Sequence, residues 1–230
     1  MSSTAPIPRP LATPPTAYPA RALGRRTRSV DEAVRVAANL VGAGGAAYFA
    51  YVSLQAYLVS RRPIGIAFVA EQLVVVVAYL VRHRARVVTR RSGDWFVAFG
   101  GTFTPVLLRP DGAHPQWGLE AGLVLQLVGL VICFSSFLAL GKSFGFAAAD
   151  RGLVQRGPYA LVRHPIYVSY VFLQAGYLCQ SLSVRNLLVV VAATGFNVCR
   201  VRAEERVLWT NSAHASYRAR VRWRMLPGLW

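Results

Sequence analysis

A series of apolar runs, most of them about as long as a bilayer is thick, leaves this chain few ways to fold. They fall at about Ala33–Val59, Ile64–Val81, Gly118–Leu140, Pro165–Val184 and Asn186–Val201, with a shorter one at Trp95–Leu108. Crossing a bilayer takes ~20 mostly apolar residues. Inside lipid, every backbone N–H and C=O must find its partner within the segment, which leaves helices as the answer for runs of this kind. With 54% hydrophobic and 15% charged residues among 230, an ordinary soluble domain is excluded. The expectation is an all-α, polytopic transmembrane helix bundle of about five to six spans, forming one membrane domain over residues 31–230. Residues 1–30, rich in Pro, Ala, Ser, Thr and Arg, read as a disordered basic tail. Near Met1 there is no apolar stretch of the kind a secretory signal peptide carries.

The formal charge of +17 is almost wholly arginine, since Lys142 is the only lysine. These arginines gather at the ends of the apolar runs, where they set topology and meet anionic headgroups. No nucleic-acid motif accompanies them, so the partner they imply is the lipid bilayer. The N-terminal tail, the loop at 82–94, the loop at 142–164 and the C-terminal tail are rich in basic residues, whereas the links near 61–63, 109–117 and 185 are poor. By the positive-inside rule both termini and the central loop face the cytoplasm, most simply across the plasma membrane. Cys133, Cys179 and Cys199 lie within apolar runs at no metal-like spacing and read as small core residues; no metal site is expected.

Polar and small residues inside the spans mark packing or function. Ala38, Gly42, Ala46 and Ala50 recur every four residues, a small face on which another helix can pack closely. Glu71 and Gln72 fall mid-span, where a carboxylic acid costs a few kcal/mol; both a functional role and interhelical hydrogen bonding, with Glu71 protonated, are open. Gly100-Gly101 and Pro105 mark the Trp95–Leu108 run as a kinked or partial helix.

Three polar patches converge on the basic side. The first is Arg151–Tyr167, RGLVQRGPYALVRHPIY, a Gly/Pro-punctuated segment between two apolar runs. Its Pro165 suits the first position of a helix, whose free N–H groups and positive dipole end favour an anion or a polar cofactor. His164 either caps that helix or touches a ligand. The second patch is the face of Tyr167, Tyr170, Gln174 and Tyr177, at i, i+3, i+7 and i+10, leading inward from the loop. The third is Arg200–Arg206. There Glu204 shares a face with Asn197, whereas Glu205 points about 100° away, so Glu204 is expected to point into the bundle and Glu205 is not. The alternative for Glu204 is an i,i+4 pair with Arg200.

Taken together, Ser143-Phe144-Gly145, the GPYALVRHPIY stretch, an apolar hairpin, Arg200-Val201-Arg202-Ala203-Glu204-Glu205, Tyr217 and a closing Leu226-Pro227-Gly228 resemble the isoprenylcysteine carboxyl methyltransferase family, among the phospholipid methyltransferases. The resemblance covers residues 140–230, which it makes the cofactor-binding core. It implies S-adenosyl-L-methionine as the cofactor, with Arg151, Gly152, Leu153 and Val154 contacting it through backbone. Tyr159 and the turn His164-Pro165-Ile166-Tyr167 would line its pocket, and Glu204 would hold a polar end. Arg200 is implied as the catalytic residue that reaches a lipophilic or lipidated substrate. Rival readings are an NADPH-dependent sterol-reductase-like enzyme, against which Glu204-Glu205 argues, and an inactive membrane scaffold. Two departures stand out: Ser169 where the family often has glycine, and Ala213-His214 in place of the usual Phe-Gly before Tyr217. Both lie beside the expected substrate entrance and leave the methyl acceptor open.

Overall fold

A computed structural model describes residues 25–61, 64–83, 85, 87–109, 116–208, 212–228 and 230. Residues 1–24 of the tail expected over 1–30, and residues 110–115, lie outside them; residues 25–30, expected to be disordered, are instead the first residues of a helix. The chain divides into two units, Met1–Val36 and Ala37–Trp230, and everything below concerns the second. Its helices are α1 (Arg25–Ser60, which begins in the first unit), α2 (Ile64–Val81), α3 (Ser92–Phe103), α4 (Gln116–Leu140), α5 (Pro165–Gln180), α6 (Val184–Leu208) and α7 (Ser212–Arg220). Two-residue strands β1 (Val87–Val88) and β2 (Ala149–Asp150) pair antiparallel. This is an all-α membrane bundle.

Three segments are long and apolar enough to cross a bilayer: Val36–Val59, Gln116–Ser143 and Val184–Leu208. The apolar helix Gly65–Val81 is slightly shorter. α5 has only 16 residues, roughly 24 Å at 1.5 Å per residue, against a hydrocarbon core of about 30 Å. α3 stops at Phe103 and tightens into a 3₁₀ turn, Thr104–Leu107, that contains Pro105. The partial helix expected from Gly100-Gly101 and Pro105 is therefore present. The α5–α6 link is Ser181–Ser183 rather than Arg185, which already lies in α6. Asn186, fully buried, closes this turn by donating to Ser181 O and Arg109 O, each at 2.8 Å.

α4 is apolar around its whole circumference and forms the centre, with α2 and α5 packed on it. A Cβ on Gly176 of α5 would come within 2.6 Å of Gly122 O on α4, so only glycine lets the two backbones approach this closely. On α1 the packed face is Ala43, Ala46 and Ala50, with Gly42 against the Tyr79 ring of α2. Ala46 and Ala50 of the expected small-residue face are buried; Ala38 is only half-buried. Of the cysteines, Cys133 is buried, Cys179 is half-buried and Cys199 is exposed, so only the first is a core residue.

Glu71 is buried against α4. Its Oε1 lies 3.5 Å from Cys133 Sγ, and Gln72 Nε2 donates to its Oε2 at 2.5 Å. The interhelical hydrogen-bonding expectation is the one realised.

Candidate functional site

The site forms where the loop after α4, the start of α5 and the end of α6 meet. Pro165 opens α5 at its first turn, and His164 precedes it as N-cap. The His164 backbone carbonyl accepts from Tyr167 N and Val168 N, yet the imidazole makes no cap bond. It turns instead to α6. His164 Nδ1 lies 3.5 Å from Glu204 Oε2, and His164 Nε2 lies 3.5 Å from Glu205 Oε1. Burial alone would lower the imidazole's pKa; the two carboxylates outweigh it and raise it above its ordinary value.

The expectation that Glu205 turns out of the bundle is corrected here. Side chains of adjacent helical residues do diverge by about 100°, but the His164 ring arrives from α5 and fills the angle between them. Glu205 is in fact the more deeply enclosed acid, its side chain 8% exposed against 24% for Glu204. It is also the better neutralised, with Arg163 at 2.5 Å and Arg224 at 2.8 Å. Glu204 is left with His164 and the hydroxyl of Tyr167, which donates to it. Both acids line the cavity, Glu205 clasped by the fold's own cations and Glu204 the more open of the two.

That cavity encloses about 1050 Å³ of empty space, open mouth included, a size suited to a small-molecule ligand. Arg151, Gly152, Leu153, Val154, Tyr159, His164, Ile166, Tyr167, Arg200 and Glu204 all line it. Pro165 is the exception: it is fully buried beneath the wall and serves as the first residue of α5. Of the α5 stripe, Tyr167 and Tyr170 reach the cavity, whereas Gln174 is buried in the bundle.

The Arg151–Val154 side is built by backbone geometry. Gly152 takes φ +103°, and its N–H donates to the buried Asp150 carboxylate at 3.0 Å. Gly145 leaves space for the Arg151 guanidinium, which a Cβ there would strike. Burial, with Arg82 adding to it, lowers the Arg151 pKa to about 10; it remains charged at neutral pH.

Arg200 does not form the local pair with Glu204. Its guanidinium lies over the Tyr167 ring at 5.4 Å and the Phe146 ring at 5.8 Å, donating to Phe146 O at 2.9 Å and to Thr102 Oγ1 at 3.2 Å. These contacts hold it at the cavity wall nearest α3.

The match with known proteins falls on this same region. Residues 117–211 fit the family model described as phospholipid methyltransferase. That stretch runs from the start of α4 past the end of α6. The chain is also 30% identical over 96 residues to Protein-S-isoprenylcysteine O-methyltransferase A of Arabidopsis thaliana, covering 38% of this chain and 49% of that protein. The chain thus spans about half the length of this curated relative.

The phospholipid methyltransferase match leaves out α1–α3 and everything beyond residue 211. Those parts supply Thr102 to Arg200 and a C-terminal wall. Tyr217 O–H donates to Tyr159 O at 2.7 Å. Residues 223–228 form a turn, with Gly228 at φ +83°, that accepts Arg163 N–H at Trp223 O and His164 N–H at Arg224 O. Arg163, Glu205, His214, Tyr217 and Arg218 were missed as site residues. The closing Leu-Pro-Gly marked the turn, and nothing in the sequence marked where it docks.

Proposed function

We propose that this protein is an integral-membrane methyltransferase that uses S-adenosyl-L-methionine and acts on a lipophilic acceptor. One observation carries the reading. The more open of two cavity-lining carboxylates, Glu204, is held by His164 and Tyr167, on the same cavity as the Arg151–Val154 loop. The residues present suit that cofactor. Glu204 complements an ammonium or a pair of ribose hydroxyls, and the Tyr167 and Tyr170 rings offer π faces to a sulfonium. Arg151 Nε and His214 Nδ1 are buried without a hydrogen-bond partner in the protein, as expected of groups that a ligand completes.

When bound, S-adenosyl-L-methionine supplies an electrophilic methyl group on sulfur. What the chain adds is alignment and exclusion of water, which suffice for in-line displacement at carbon. Arg200, fixed between two rings, orients an anionic acceptor and needs no general base beside it. The acceptor class stays as broad as carboxylate, thiol, amine or enol and phenol oxygen. The arginine-rich loops support a cytoplasmic site, with both termini on that side of the plasma membrane. The Arabidopsis relative's name supports a methyl-transfer reaction over a reductase.

Titrating detergent-purified protein with S-adenosyl-L-methionine and with NADPH tests this. Binding of the first, weakened by Glu204→Gln about tenfold or more, is the expected result. Tight NADPH binding with none for the methyl donor rejects the reading.

A further inference from the structure

Three side chains of α7, His214, Tyr217 and Arg218, reach the cavity, and their spacing of three and four residues puts them on one helical face. α7 lies beyond the stretch matched by the family model. Tyr217 is committed to Tyr159 O. His214 is different. The residue is 4% exposed, and its Nδ1 is buried with no hydrogen-bond partner. Leaving such a nitrogen unpaired is costly. A buried histidine at a cavity wall, left unsatisfied by the protein, fits a group whose partner arrives with the ligand.

We propose that His214 is a further cofactor-contacting residue, hydrogen-bonding the nucleoside part of the bound cofactor through Nδ1. This rests on the reading of the chain as a methyltransferase that binds S-adenosyl-L-methionine. The chemistry of the wall selects the nucleoside. Burial lowers the His214 pKa, and Asp150 opposes that shift only in part, so the ring is neutral at physiological pH. A neutral ring offers at Nδ1 either one N–H or one lone pair, according to tautomer. Ribose hydroxyls and the adenine edge each donate and accept, and serve either tautomer. The cofactor's ammonium and carboxylate carry a full charge, which a neutral ring matches less well than the charged Glu204 and Arg151 on the same cavity do. Tyr217, anchored to Tyr159, fixes α7 so that His214 faces inward without help from the ligand.

The test is calorimetric binding of S-adenosylhomocysteine to the full chain in detergent. His214→Leu keeps the bulk and removes the hydrogen bond; His214→Asn restores a donor and acceptor close to the Nδ1 position. We expect about tenfold weaker binding for the Leu variant, and an Asn variant within threefold of wild type. Analogues lacking the 2′-hydroxyl, the 3′-hydroxyl or the adenine amino group locate the contact. One of them should bind wild type about tenfold more weakly and show no further loss in His214→Leu. Equal binding of wild type and the Leu variant, or an Asn variant as weak as Leu, overturns the proposal. So does a wild-type protein indifferent to all three analogues, an arm that holds even where a variant fails to fold. No binding of S-adenosylhomocysteine by wild type defeats the parent reading, and this inference with it; loss of the His214 contact alone leaves the parent reading intact.

Discussion

Two carboxylate sites in this bundle, Glu71 on α2 and Glu204-Glu205 on α6, have opposite surroundings. Glu71 on α2 is sealed against α4 with a thiol and an amide as partners; no ion pair to it is found among the described residues. Glu204 and Glu205 on α6 are ringed by His164, Arg163 and Arg224 and line a cavity, Glu204 the more exposed of the two. A carboxylate enclosed without a cation is tolerable only in its neutral form, and a neutral acid in lipid serves as an interhelical hydrogen-bonding group. One enclosed with several cations stays ionised, and a partly exposed ionised acid can hold a polar ligand. Burial by itself therefore says little about function. Counter-charge together with an opening does.

The largest effect should come from Glu205. Glu205→Ala would leave Arg163 and His164 enclosed without compensation and remove the clasp from Arg224. Breaking a buried pair in this way costs about 3–5 kcal/mol, to be read as a large fall in melting temperature in detergent. Glu204→Gln should do the reverse: little change in melting, with cofactor binding weakened about tenfold or more. The comparison breaks if Glu204→Gln melts as early as Glu205→Ala, since both acids would then be structural.

How much of this was legible in the sequence depends on whether a feature is local. The start of α5 was, because His164-Pro165 carries its own steric signature. The same holds for the break in α3, where Pro105 cannot continue a helix. Glu205 was misplaced because a helical wheel sees only α6, and the ring that uses this acid comes from α5. The β1–β2 pair, two residues long on each side, has no periodicity to read. Docking of the turn at residues 223–228 rests on backbone hydrogen bonds, which leave no mark on residue type. Pro165 was expected at the cavity surface because a motif names neighbours together; the structure separates the residues that touch the cavity from the one that sets their helix.

His164 gives the comparison a pH dependence. Its pKa in the fold is raised above the ordinary value of 6.5 by the two acids, which outweigh burial. The sign follows by linkage: the stabilisation from the charged ring is fully present below pH 6.5 and is lost as pH rises through the raised value. Melting measured from pH 6 to pH 9 should fall across that window in wild type. In His164→Gln the slope should be much flatter. A wild-type profile that rises with pH would show that the ring is neutral in the fold and that the two acids answer to the arginines alone.

The smallest effect belongs to Glu71. If the acid is neutral and serves only to join α2 to α4, Glu71→Gln replaces one hydrogen-bonding group with another of nearly the same shape. Stability should change by no more than about 1 kcal/mol, and binding of the methyl donor should be unchanged. Glu71→Ala should cost more than Gln, because it leaves Gln72 and Cys133 facing a gap. This ordering is the inverse of the one at α6, where Gln in place of Glu204 already removes the charge that matters. A Glu71→Gln variant that melts like wild type yet loses the cofactor would overturn the distinction, placing an ionised group at Glu71 and extending the site into the membrane along α2.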